Sequence, residues 1–99
     1  MNVIEKVKKL KSQLLKEGFV IDGVFGSIAR GEKEYNDIDL LYHLDESFIK
    51  RYRGFIGFKK LNDIKGKISK ELGVKVDLAP KNNLSNTAKK YILKDIIYV

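Results

Sequence analysis

Two aspartates separated by a single residue, Asp37 and Asp39, stand at the head of the apolar run Leu40-Leu41-Tyr42. In a strand of period two both carboxylates point to one face, while Ile38, Leu40 and Tyr42 point to the other. Like charges held that close destabilise each other unless a cation lies between them, so the pair reads as a site for a hard divalent ion such as Mg²⁺. A second constellation lies just upstream. The apolar, β-branched run Phe19 to Phe25 ends in Gly26-Ser27, a way for a strand to turn into a short helix whose free N–H groups face outward, ready for phosphate. Ser27 can cap that helix through its hydroxyl oxygen, donate to a terminal phosphate, or do both. Arg30, on the same turn, reaches phosphate oxygens in the functional reading and is a surface residue in the plain one. A third carboxylate, Asp77, sits in the alternating segment Val74-Lys75-Val76-Asp77-Leu78 after the helix-ending Gly73. A lone strand aspartate is usually the exposed half of an alternation, and by itself Asp77 reads as that. His43, the single histidine, closes the second strand and reads as a strand-end surface residue rather than a base.

Gly26-Ser27, Ala29-Arg30-Gly31, Asp37-Ile38-Asp39-Leu40-Leu41 and the later Asp77, in this order, resemble the nucleotidyltransferase superfamily that includes DNA polymerase beta, and within it the minimal nucleotidyltransferases. The resemblance runs from about Phe19 to the C-terminus; Asn36 stands where the family more often has serine. It implies an α/β (α+β) fold with a small mixed sheet of three to four strands and helices packed on one side. It also implies nucleotidyl transfer from ATP with two Mg²⁺ ions, Asp37, Asp39 and Asp77 being metal ligands and catalytic residues, and Gly26, Ser27 and Arg30 holding phosphates. Larger members carry a further domain that selects the acceptor. The minimal family works on a HEPN-domain toxin, so the resemblance implies a hetero-oligomer in which AMP passes to a toxin hydroxyl, a tyrosine, and silences it. Two other readings stand beside this one: an idle antitoxin that inhibits by binding alone, and a basic RNA-binding module. Against the last, paired strand aspartates repel a phosphate chain unless metal is present.

The elements that would position these residues follow from periodicity. Val3, Ile4, Val7, Leu10, Leu14 and Leu15 recur at helical spacing from Asn2 to Glu17, and Gly18 is a natural stop. Gly23 within the first strand marks a bulge or the close approach of another segment. Gly31 to Asn36 is a polar, solvent-exposed turn segment. From Phe48 to Phe58 basic residues and aromatics mix, with Gly54 and Gly57 interrupting any helix; such a mixture stacks bases, pins a loop to the core, or faces a partner. Leu61, Ile64, Ile68 and Leu72 form a helical stripe, Pro80 stops the third strand, and Ser85 or Asn86 caps a last helix. The apolar tail Ile96 to Val99 either adds an edge strand or enters an interface.

A chain of 99 residues with net charge +7 is expected to form one domain over residues 1–99 and to favour anionic partners, nucleotides first. The absence of cysteine removes disulfides and thiolate metal sites. No signal-like or membrane-spanning run is present, so a cytoplasmic protein without membrane contact is expected.

Overall fold

The structure, a computed structural model, describes residues 2–32 and 37–99. Residues 33–36, most of the expected polar turn segment, lie outside the described part.

Asn2 opens the first helix, α1 (Val3–Leu14), by accepting the Glu5 N–H on its side-chain oxygen at 2.9 Å. One face of α1 buries Val7, Leu10 and Leu14, and a 3₁₀ turn carries the chain to Gly18. Gly18 has φ +80, which favours glycine, and a Cβ there would lie 2.4 Å from Asp45 Oδ1. The stop thus also seats the next corner: Asp45 N donates back to Gly18 O at 2.9 Å.

Strand β1 (Phe19–Phe25) leaves that corner and pairs antiparallel with β2 (Asp37–Leu44). The register shifts between Ile21 and Gly23, the expected bulge. A Cβ on Gly23 would fall 2.7 Å from the Ile96 side chain, so the close approach is by the chain's own tail. That tail forms β4 (Ile97–Tyr98), antiparallel to β1, the edge-strand outcome of the two considered. Asp45 caps α2 (Glu46–Arg51), and after Gly54 comes α3 (Phe55–Leu72). Of the two glycines expected to break helix here, Gly54 does so with φ +63, whereas Gly57 lies inside α3. Strand β3 (Lys75–Pro80) then returns parallel to β2, and Ser85 caps α4 (Asn86–Asp95) through its hydroxyl oxygen. The sheet order is β3-β2-β1-β4.

Ile21, Ile38, Leu40 and Val76 point from the sheet into the same layer as α1's Val7 and α3's Ile68, all at most 1% exposed. Burying each such side chain contributes about 1.5–3 kcal/mol. The helices α1 and α3 therefore blanket one face of a mixed sheet. The opposite face carries the polar members of the same alternation. There α4 comes alongside, its Lys89 and Leu93 sharing a cavity of about 460 Å³ with Asp22 and Leu41. Among the described residues, no helix is long and apolar enough to cross a membrane.

Candidate active site

Parallel pairing of β2 with β3 sets Asp39 directly opposite Asp77, and Asp37 opposite Lys75. Since Ile38, Leu40 and Val76 fill the core, the intervening Asp37, Asp39 and Asp77 share the other face, each partly buried. Two segments distant in sequence thus bring three carboxylates to one patch of sheet. Asp39 feels this most. Its carboxyl is raised above the ordinary range, first by burial, then by the charges of Asp77 and Asp37, with Arg30 pulling the other way.

The glycine-serine corner abuts that carboxylate. Gly26 has φ +82, and a Cβ on it would lie 2.3 Å from Asp39 Oδ2. Only glycine satisfies both the backbone and the neighbour. Beyond it the chain forms overlapping turns rather than the expected α-helix: Arg30 N donates to Gly26 O at 3.1 Å, Gly31 N to Ile28 O at 3.0 Å and Glu32 N to Ser27 O at 3.1 Å. Among the described residues, the N–H groups of Ser27, Ile28 and Ala29 have no acceptor. A tight turn of free donors is an anion cradle even without a full helix behind it. Arg30 lies on this turn, its guanidinium paired with Glu32 at 2.9 Å and 40% exposed. That carboxylate holds its pKa above the usual value, so it stays cationic.

Among the described residues, no three acidic, histidine or cysteine side chains stand close enough together to hold a metal ion as a group, Asp37, Asp39 and Asp77 included. Asp37 and Asp39 instead follow one another along β2, and Asp77 stands beside Asp39 on β3. One or two carboxylates are what Mg²⁺ takes, its octahedron being completed by water and phosphate, and the neighbours Asp39 and Asp77 could supply that many. The Asp39 carboxyl is raised first by burial and then by its two acidic neighbours, so its charged form is the one the site disfavours.

Sequence reasoning passed over one pair. Asp37, Asp39, Leu41 and His43 alternate along β2 on the same face, and His43 Nδ1 lies 2.8 and 3.0 Å from the two carboxylate oxygens of Asp22 on β1. The histidine is therefore not a free strand-end residue: its ring is oriented by a carboxylate at the far end of the site face. The signal available was its place in the period-two series; the partner required the register across the bulge.

Comparison with known proteins gives four findings. A family model described as a nucleotidyltransferase domain matches residues 3–99. A protein of Methanocaldococcus jannaschii assigned as a protein adenylyltransferase is 35% identical over all of this chain and 97% of its own length. The protein adenylyltransferase MntA of Thermococcus cleftensis is 31% identical over 97% of this chain and 92% of its own. Among solved structures, one described as a minimal nucleotidyltransferase superposes with a TM-score of 0.70 at 26% identity, covering 98% of this chain and 92% of the other.

Proposed function

Because this chain belongs to the nucleotidyltransferase domain family and is a nucleotidyltransferase, we propose that it moves AMP from ATP onto a hydroxyl of a partner protein, and that the partner is a HEPN-domain toxin silenced by the modification. Residues 1–99 are read as one minimal domain acting in the cytoplasm, with the partner itself as the acceptor platform. The observation that carries the reading is the register of Asp39 against Asp77 beside the Gly26-Ser27 corner. Relatives that bear the name protein adenylyltransferase support a protein acceptor over a nucleic acid.

In this reading the free N–H groups after Gly26, with the Ser27 hydroxyl, hold the β- and γ-phosphates, and Arg30 exchanges Glu32 for a phosphate oxygen. Asp37, Asp39 and Asp77 would hold Mg²⁺, which when bound supplies neutralisation of charge on the triphosphate. Asp77 lies on the acceptor side and takes the proton of the incoming hydroxyl. The acceptor oxygen forms a bond to the α-phosphorus, the bond from that phosphorus to the bridging oxygen of the β-phosphate breaks, and pyrophosphate departs. Position and electrostatics do the work, which is why a small domain suffices.

The test is to incubate the protein with ATP labelled at the α-phosphate, Mg²⁺ and the HEPN-domain partner. Label on the partner that disappears with Asp39→Asn, while the variant stays folded, supports the proposal. Complex formation without label in the wild type would instead identify an antitoxin that acts by occlusion.

A further inference from the structure

Four large apolar side chains stand in water on one surface made by α2 and the start of α3: Ile49 is 57% exposed, Phe55 90%, Ile56 62% and Phe58 73%. Scattered exposed apolar residues are ordinary, but four within ten residues of chain, with Ile49 and Phe58 lining one groove, are not. The backbone builds this surface. Gly54 turns the chain between the helices, and Gly57 is buried where a Cβ would lie 2.8 Å from the Tyr52 carbonyl oxygen. That contact seats the first turn of α3 against the end of α2 and leaves 55, 56 and 58 facing out. The groove between them, of about 380 Å³, has Leu44, Phe48 and Tyr52 among its lining and Ile49 and Phe58 at its sides.

Charge narrows the choice of occupant. Between Ser47 and Asn62 the chain has five cations, Lys50, Arg51, Arg53, Lys59 and Lys60, and no acid. Lys60 pairs with Glu17 at 3.3 Å; among the described residues Lys50, Arg53 and Lys59 make no ion pair. A second copy of this chain would set cation against cation across the contact. A single strand of nucleic acid would use aromatic faces for stacking, yet half of the exposed set, Ile49 and Ile56, offers none. A protein surface with an apolar centre and an acidic rim fits both features.

Position ties the surface to the chemistry. Phe58 and Leu61 line an adjoining hollow with Leu78, the residue that follows Asp77 on β3, and β3 is an outer strand of the sheet. We propose that the α2–α3 surface is the docking site for an acidic-rimmed apolar face of the acceptor protein, which then delivers its hydroxyl over the β3 edge to Asp77 while the nucleotide enters at Gly26-Ser27. The acceptor role rests on the transfer reading above; the docking does not.

Calorimetric titration of the full chain with the HEPN-domain partner tests it, using Phe55→Ser with Phe58→Ser, and separately Arg53→Glu with Lys59→Glu. All four side chains lie outside the core, and circular dichroism checks that each variant folds. Expected are at least tenfold weaker partner binding in both variants, unchanged ATP affinity, and wild-type partner binding by Asp39→Asn. Equal partner binding by wild type and both variants overturns the proposal, as does the absence of any complex with the wild type. So does a result in which the substitutions abolish self-association or oligouridine binding but spare the partner. A tight complex that loses affinity in both variants yet never receives AMP leaves the docking site standing and removes the transfer reading.

Discussion

Asp39 is held in a position that works against the fold. Its folded carboxyl binds a proton more tightly than the unfolded one, because burial and the charges of Asp77 and Asp37 oppose ionisation. The penalty is absent at pH below the ordinary carboxyl range, grows as pH rises towards the elevated folded value, and is complete above it. Asp39→Asn is therefore expected to raise the melting temperature of the nucleotide-free protein at pH 7 and to have little effect at pH 3. The same substitution should lower transfer roughly 10²–10³-fold, the scale of losing one electrostatic contact to a transition state. Calorimetric melts at the two pH values, set beside the transfer assay, check both halves; a destabilising Asp39→Asn at pH 7 contradicts the electrostatic account. Gly26→Ala should also abolish transfer, but with lowered stability, since its Cβ would press on Asp39 Oδ2. The three aspartates were legible in the sequence because alternation alone assigns a face. Asp22 and His43 were not, because even with a bulge expected at Gly23 their pairing needs the register of β1 against β2, which no single-strand pattern contains.

At the level of elements, α3 shows what patterning reads and what it misses. The stripe Leu61, Ile64, Ile68, Leu72 and the stop at Gly73 are visible as period and punctuation; Ile64, Ile68 and Leu72 are buried and Leu61 is half-buried. The first two turns are hidden from patterning because glycine's intrinsic helix cost argues against helix at Gly57, whereas its bareness permits the approach to Tyr52. Two substitutions in this one helix should consequently go opposite ways. Gly66 has open space where its Cβ would be, so Gly66→Ala should stabilise by about 0.5–1 kcal/mol. Gly57→Ala, confronting a carbonyl, should destabilise despite the better propensity. Urea melts of the pair check this, and equal signs would refute it. Asp45 offers a pH counterpart: bonds from the Ser47 hydroxyl and the Phe48 and Ser47 N–H groups hold its pKa down. Its contribution is present above the ordinary carboxyl range and lost as pH falls through the lowered value, so Asp45→Ala should flatten the acid limb of the stability profile.

For the molecule as a whole, the net charge of +7 and the strand carboxylates Asp37, Asp39 and Asp77 are complementary parts of one design. In the proposed function a cationic body draws in the polyanion, and a local acidic patch gives its counter-ion a place. ATP with Mg²⁺ should thus raise the melting temperature as binding to the folded state demands, by an amount equivalent to about 2.7 kcal/mol at a hundredfold excess over Kd. ATP with EDTA should give much less, and Asp39→Asn should erase the difference. The scaffold behind the site has its own sensitivity: Ile68, 0% exposed beneath the sheet, should cost about 2–5 kcal/mol when cut to alanine, by the same melts.

The carboxylates that face each other across β2 and β3 are joined along the chain only through α2 and α3. A polypeptide emerging from the ribosome presents its Gly26-Ser27 corner and first two acids well before the third exists to meet them. Long-range parallel pairing forms slowly compared with local helices. Catalytic competence is then a clock for closure of the sheet: in refolding from urea, helical signal should return ahead of nucleotidyl transfer, and the lag between them measures how long the nascent protein stays inert.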